Sequence, residues 1–375
     1  MEASENTLRK NAKEMMKINS ENPPGNETEM VHYLEEKFKE LGMKYQCIET
    51  APNRVSIIGE TNKGKKTTNL VCHSDTVPLS NISPEPIEED GKIFGRGSVD
   101  DKGAIAAGFE TARMVIESGL DTNFMLSIFS DEENGSVLGA KAILQEKSKY
   151  NYNPDFSLVA EANSLNISIG EKGIVRFRAK CMGKEAHAMN PEKGVNAILL
   201  MNGFIQALNA YSFPNSFYRQ MNVRSTVNVG VIRGGIKQSI VPKECEVDVD
   251  FRLVPGQADA DVMNGIRAIE KNLKQKNPAF NLSVSMYRYD KAHVVNKKSE
   301  KIQLLEKVLK EKGLPAEYGF ASGATIAKFL TTAGLEAVVC GPGKSFLCHA
   351  AEEHVEIKEL KTAAEVYYDY ARRLG

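Results

Sequence analysis

The sequence predicts an α/β fold, a mainly parallel sheet covered by helices, with a second unit of antiparallel character inserted into it. Three observations carry that expectation. From about residue 45 to residue 160, short apolar and β-branched runs alternate with helical stretches, the order of a doubly covered parallel sheet. After Lys172 the rhythm becomes a strict apolar–polar alternation, first in Ile174–Met182 (IVRFRAKCM), as in strands with one wet face. At 375 residues the chain is also long enough for two domains.

Taken in order, the chain opens with two amphipathic helices, about Ser4–Lys17 and Glu27–Leu41, separated by the helix-breaking NPPGN. Strands are expected at Tyr45–Thr50, Val55–Gly59 and Thr67–Cys72, the last preceded by the polar turn TNKGKK. Gly103–Ser118, built of small and apolar residues, reads as a helix that packs on the sheet. Asn123–Ser130 and Phe156–Ala160 follow as strands, with a helix from about Val137 to Lys147 between them. In the insertion, Ile174–Met182 is followed by a helix at about Gly194–Ala210 and strands at Ser225–Arg233 and Cys245–Val254. A helix at Gln257–Gln275 and a strand at Asn281–Arg288 complete it. That order, βαββαβ with period-two strands, predicts a ferredoxin-like unit with one face covered by helices. From about Tyr289 the α/β pattern returns, with helices at Ser299–Lys312 and Gly323–Thr332, a strand at Glu336–Cys340 and a final helix at Lys358–Leu374. The expected domains are therefore an α/β domain formed by residues 1–172 and 288–375, and an insertion of residues 173–287.

Bulk properties exclude several functions. Apolar residues make up 42% of the chain, charged residues 26%, and the net charge is −1 with Lys and Arg scattered. No phosphate-neutralising face is expected, hence no nucleic-acid partner. The N-terminal stretch lacks the apolar core of a signal peptide, and no run approaches the roughly 20 apolar residues that span a bilayer, so no membrane association is expected. Six cysteines occur without CxxC spacing. Buried free thiols in a reducing, cytoplasmic setting are the expectation.

The residues that bear chemistry cluster where strands end. LVCHSD leaves His73 and Asp75 just past an apolar run, and FMLSIFSDEE leaves Asp131, Glu132 and Glu133 past another. FSLVAE ends in Glu161, and AVVCGPGKSFLCH carries its strand into a Gly-rich loop reaching His349. Asp100 stands in GRGSVDDKG, between a turn and a helical run. Open α/β sheets form their sites at the carboxyl ends of strands, so these distant residues can meet. Each alone has a plainer reading: His73 as a strand-end surface histidine, Asp100 or Asp101 as a helix cap, DEENG as an acidic turn. Together, imidazoles and carboxylates suit a pair of divalent metals. Adjacent residues on a turn diverge, so one of Glu132 and Glu133 can ligate while the other takes the proton of a metal-activated water. Asp75 could accept the second N–H of His73 and fix its tautomer.

HSD, GRGSVDDKG, SDEENGS, the strand-end Glu161 and CHAAEEHV arrive in an order that resembles the co-catalytic zinc exopeptidases and deacylases. That group includes acetylornithine deacetylase, succinyl-diaminopimelate desuccinylase, aminoacylase, glutamate carboxypeptidase and bacterial dipeptidases, and the likeness covers essentially the whole chain. The resemblance implies a zinc-exopeptidase-like sheet, with the insertion as a lid that pairs two copies into a homodimer. It implies that Asp100 bridges two metals, that His73 and Glu161 complete one site, and that Glu133 and His349 complete the other. Glu132 would be the general base and acid, Asp75 the group that orients His73, and the Asp100–Asp101 peptide cis. In KEAHA, His187 would stabilise the oxyanion, and Arg252 in DVDFRLVPG would hold a substrate carboxylate. Gly341 and Gly343 of GPGK, with Gly323 and Thr325 of SGAT, would line the substrate side. Three positions depart from the family's usual residues: Ser239 for Asn near the oxyanion, Ala162 for Pro, and Ile326 for Asp. They bear on substrate identity rather than on hydrolysis. The implied activity is cleavage of an amide next to a free carboxylate, on an N-acyl amino acid of the acetylornithine or succinyl-diaminopimelate kind. A di- or tripeptide exopeptidase is the alternative, and a noncatalytic binder on the same fold a remote one. Zinc is the expected metal, and cobalt or manganese suits the same donors.

Overall fold

In a computed structural model that describes residues 1–80, 82–321 and 323–375, the chain opens with α1 (Glu5–Lys17) and α2 (Thr28–Glu40). The Ser4 hydroxyl caps α1 by accepting the Thr7 N–H at 3.3 Å, while Leu8, Ala12 and Met15 supply its buried stripe. Next come β1 (Lys44–Ala51), β2 (Arg54–Glu60), β3 (Thr67–His73), the short β4 (Ile87–Glu89) and β5 (Lys92–Phe94), and α3 (Lys102–Glu117). β6 (Asn123–Phe129), α4 (Ala140–Gln145), β7 (Phe156–Ala162) and β8 (Ile167–Glu171) follow. The insertion consists of β9 (Gly173–Met182), α5 (Ala197–Ala210), β10 (Thr226–Gly234), β11 (Glu244–Leu253), α6 (Asp259–Lys276) and β12 (Leu282–Asp290). The chain then returns through α7 (Glu300–Glu311), β13 (Tyr318–Ala321), α8 (Ala327–Thr332), β14 (Ala337–Gly341), β15 (His354–Glu356) and α9 (Ile357–Leu374). These elements form two compact units, Met1–Gly170 with Val295–Gly375, and Glu171–Val294.

The main sheet of the larger unit has the order β1-β2-β6-β3-β7-β14-β8. Its centre, β6, β3, β7 and β14, is parallel, and antiparallel β1–β2 and β8 flank it. Every residue of β6 is buried, and so is all of β3 beyond Thr67, because helices cover both faces. α3 lies close against the sheet because Gly108 has no side chain: a Cβ there would stand 2.7 Å from Leu126 Cδ1. The β3–β6 register runs from Thr67↔Asn123 to His73↔Phe129, so the carboxyl ends of the two strands are level. β15, β5 and β4 form a separate small sheet.

In the second unit the strand order β10-β11-β9-β12 is antiparallel throughout, the arrangement of a ferredoxin-like βαββαβ unit. Along β11, buried residues alternate with more exposed ones. Its inward set packs with Phe177, Phe204 and Ile266 into one core under α5 and α6.

Some elements differ from the sequence expectation for identifiable reasons. The helix expected over Val137–Lys147 contracts to α4. Asp131 holds the preceding residues in a turn, its carbonyl accepting the Ser136 N–H at 2.6 Å and its carboxylate the Leu138 N–H at 2.8 Å. The helix expected over Gly323–Thr332 contracts to α8, with the Thr325 hydroxyl accepting the Ala327 N–H at 3.1 Å. β12 continues to Asp290, past residue 287, because Arg288–Asp290 stay paired with Arg176–Ile174. β8, β13 and the β4–β5 hairpin were not expected at all. Among the described residues no helix is long and apolar enough to cross a membrane.

Phe204 is fully buried in the core of the second unit. Phe204→Ala is expected to cost about 3–5 kcal/mol, read from the urea unfolding of that unit. A change under about 1 kcal/mol would show that the ring does not hold this core.

Candidate metal centre

The parallel strands deliver their acidic and imidazole residues to one end of the sheet. β3 stops at His73, β6 runs into Asp131–Glu133, β7 carries Glu161, and β14 leads through Gly341–Lys344 towards His349. Asp100 arrives from the turn before α3, and its peptide bond to Asp101 is cis. The Asp100 carboxylate is divided between the two imidazoles: Oδ1 lies 2.8 Å from His73 Nε2, and Oδ2 lies 3.3 Å from His349 Nε2. Glu161 Oε1 stands 3.7 Å from His73 Nε2, and Glu133 Oε2 stands 3.1 Å from His349 Nε2. Donor atoms of His73, Asp100 and Glu133 lie within 4.8 Å of one another, as do those of His73, Glu132 and Glu161. The five residues expected to ligate, together with Glu132, therefore meet.

His73 shows what the cluster is built to hold. Its Nδ1 lies 2.9 Å from the main-chain oxygen of Asp75, and a carbonyl can only accept, so Nδ1 carries the hydrogen. Nε2 is left facing Asp100 and Glu161. Either a proton or a cation must stand between that nitrogen and the two carboxylates. Burial works against charge on His73, yet Asp100, Asp75 and Glu161 hold its pKa well above the ordinary value. Burial, opposed by His73 and aided by repulsion from Glu133, Asp75 and Asp100, pushes Glu132 up to about 8. Burial and the charges of Asp100 and Glu132 likewise raise Glu161. Hydrogen bonds to Asp100 and Glu133 push His349 up to about 10. Burial would raise Asp100, but its contacts with His349 and His73 hold it below the usual carboxylate range. Carboxylate oxygens and imidazole nitrogens at these separations are the donor set of a divalent cation, which would take the place of the protons. The residues fit a metal.

Asp75 acts differently from the sequence expectation. Its carbonyl, rather than its carboxylate, makes the close contact to the imidazole; the carboxylate stands 3.5 Å from Nδ1. The carboxylate instead accepts the main-chain N–H groups of Glu132 and Glu133, both at 3.0 Å, and so holds the turn that presents them. Beneath it lies a network that no sequence pattern announces. Asn22 Nδ2 donates to Asp75 at 2.8 Å and to Asp131 at 3.3 Å, while its Oδ1 accepts from Arg54 at 3.1 Å. Arg54 also pairs with the buried Glu27 at 2.7 Å. The one available signal was the rigid NPPGN stretch that fixes Asn22; nothing in sequence marks Glu27 or Arg54 as buried.

The loop residues have local structural reasons of their own. A Cβ on Gly341 would stand 1.8 Å from the Ala160 carbonyl oxygen, so the residue must be glycine for β14 to reach β7 beside Glu161. Gly343 has φ +87° and lies against Val99, next to Asp100. Thr325 is buried at the start of α8, Gly323 has open space at its Cβ position, and Ser322 of the same SGAT stretch lies outside the described residues. His349 itself takes a left-handed backbone, φ 64°. In the second unit His187 is exposed, its Nδ1 accepts the Met189 N–H at 3.1 Å, and it pairs with Ile240 across an antiparallel bridge, while the neighbouring Ala188 N–H donates to the Ser239 carbonyl at 3.0 Å. The Arg252 guanidinium is already paired, its Nε donating to Asp250 at 2.5 Å.

A family model described as Peptidase family M20/M25/M40 matches residues 70–373, most of the chain. The chain belongs to this family. An acetylornithine deacetylase of Myxococcus xanthus is 28% identical to this M20-type chain, with 82% of this chain and 80% of that one covered. An uncharacterized metallohydrolase of Methanocaldococcus jannaschii is 26% identical over 95% of this chain and 96% of its own length. Among solved structures, a tripeptidase from Staphylococcus aureus superposes with a TM-score of 0.83 at 22% identity, covering 100% of this chain and 99% of that one. The family and the donor set make this chain a metal-dependent hydrolase acting on amide bonds.

Glu132 and His349, pushed up to about 8 and about 10, both hold protons at neutral pH that a cation must displace. The apparent affinity of chelator-stripped protein for zinc or cobalt is therefore expected to rise from pH 6 to pH 8, with proton release on binding. Calorimetry in buffers of different ionisation enthalpy measures both; a flat affinity with no proton release would contradict the electrostatics described above.

Proposed function

We propose that this M20-family chain is a dinuclear-metal deacylase that cleaves the amide of an N-acyl amino acid beside a free carboxylate. The substrate class is that of acetylornithine or succinyl-diaminopimelate, and zinc is the first choice of metal, with cobalt or manganese accepted by the same donors. The two-cation reading rests on the Asp100 carboxylate, one oxygen of which faces His73 at 2.8 Å and the other His349 at 3.3 Å. In this reading His73, Asp100 and Glu161 hold one cation, and Asp100, Glu133 and His349 the other. Such cations polarise a carbonyl and lower the pKa of water. Glu132, held at its main chain by Asp75, takes the proton from the attacking water and returns it to the leaving amine. Cations in place of the displaced protons would leave Glu132 ionised and able to accept that proton. His187 steadies the oxyanion, with Ser239 on the neighbouring segment, and Arg252 turns from Asp250 to the substrate carboxylate. Gly323, Thr325, Gly341 and Gly343 belong to the substrate side of this reading.

The deacylase reading draws on relatives named acetylornithine deacetylase, each 28% identical, from Myxococcus and several Vibrio species. The exopeptidase reading draws on structural neighbours named tripeptidase and aminopeptidase, with TM-scores of 0.83 and 0.84. Homodimer formation through the second unit is supported by its exposed apolar side chains, Leu199 (66% exposed), Ile232 (56%) and Ile236 (82%), and by β10 at the sheet edge. A cytoplasmic setting is supported by six free cysteines.

A panel of N-acetyl and N-succinyl amino acids alongside di- and tripeptides, assayed with added cation, separates the two readings. Turnover of peptides alone would overturn the deacylase. Glu132→Gln is expected to lower kcat by about 10²–10⁴-fold with metal content unchanged, and a near-normal rate would remove Glu132 from the mechanism. Arg252→Ala is expected to raise KM for carboxylate-bearing substrates with little change in kcat. Equal KM values would leave Arg252 as a partner of Asp250 alone.

A further inference from the structure

We propose that Arg96 and Glu353 are positioning residues that lock Asp100 to the segment carrying His349, and so set the affinity of the cation shared by Asp100, Glu133 and His349. The inference rests on the two-cation reading and adds residues that neither ligate nor touch substrate in it. Its starting point is the small sheet. β15 pairs antiparallel with β5, with His354 opposite Phe94, and the next step outward places Glu353 opposite Gly95, whose N–H donates to the Glu353 carbonyl at 3.0 Å. From that end of the ladder the chain runs five residues forward to Asp100 on one side and four residues back to His349 on the other. Two ligands that meet at one site thus hang from the same pair of short strands.

The Glu353 side chain closes the gap between them. It is 1% exposed, and one of its oxygens accepts the main-chain N–H groups of Val99 at 3.1 Å and Asp100 at 3.4 Å. The other accepts from Arg96 Nη1 at 2.5 Å, and Arg96 is itself 6% exposed. A buried carboxylate with an arginine opposite and two amide donors is a rigid, charge-assisted joint. Its loss strands the remaining partner in the interior. Asp100 faces both imidazoles, but only His349 stands on the segment that Glu353 carries. The His73 ring is fixed independently, by β3 and by the Asp75 carbonyl. The His73 N–H also donates to the Asp101 carboxylate at 3.2 Å, a second tie on the Asp100 side, so slackening the joint shifts His349 against Asp100 more than it moves the His73–Asp100–Glu161 side. Unequal loss at the two cation positions is what a general loosening of the fold would not produce.

The test is calorimetric titration of chelator-stripped full-length protein with zinc and with cobalt, beside thermal unfolding of the stripped forms. Wild type is expected to bind two equivalents. In Glu353→Gln one binding event is expected to weaken by at least about 10-fold while the other moves by less than about 3-fold. Arg96→Lys, which keeps a cation opposite Glu353, is expected to retain more of the weakened affinity than Arg96→Met. Unchanged affinities in Glu353→Gln, or a parallel fall of both events together with Tm, would overturn the assignment. Should Glu353→Gln not fold, the arginine pair decides: equal affinities in Arg96→Lys and Arg96→Met overturn it as well. Wild type that takes up no cation would instead refute the two-cation reading itself, an outcome distinct from two equivalents bound alike by every variant.

Discussion

Four carboxyl groups and two imidazole rings share one small region at the end of the sheet, and they cannot all keep their preferred charge there unaided. Asp100 is the pivot, because a single carboxylate faces both rings. The cost of burying these groups, and then of gathering like charges, appears in the upward shifts of Glu132 and Glu161. Divalent cations held by these residues would resolve the conflict, replacing protons with fixed positive charge. Much of the surrounding structure serves to keep these groups from drifting apart.

The parallel sheet meets that requirement in an economical way. Strands fixed in register bring their ends level, so residues far apart in sequence reach one place without long connecting loops. Fine positioning then falls to polar groups one layer further out. Asp75 uses two different atoms for two tasks, its carbonyl for the His73 ring and its carboxylate for the Glu132–Glu133 turn. Asn22, Arg54 and Glu27 hold Asp75 from below. Glu132, the proposed general base, and Glu133 thus share one support, the Asp75 carboxylate that accepts both of their main-chain N–H groups.

The parts of this arrangement visible in sequence were those with a local signature. Period-two strands gave the ferredoxin-like insertion, and acidic or imidazole residues following apolar runs gave the cluster. β8 has no such signature, because ISIGE is short and all five of its residues are buried, so nothing alternates. α4 is shorter than its helical pattern suggests because the Asp131 carboxylate, a side chain, sets the turn that precedes it. The supporting residues were invisible for a similar reason. Glu27, Arg54, Arg96 and Glu353 are charged types that ordinarily face water, and only long-range pairing makes them interior residues. The role expected of the Asp75 side chain falls instead to its main chain, a distinction that residue identity cannot encode.

Gly341 limits how this scaffold can diversify. The strand that ends there passes so near the Ala160 carbonyl that any larger residue would pry apart the two strands beside Glu161. Substitution is closed at that position. Lys344, Ser345 and Phe346, outward-facing on the stretch between Gly343 and His349, carry no such restriction. Side chains can change there while the strands beneath stay untouched.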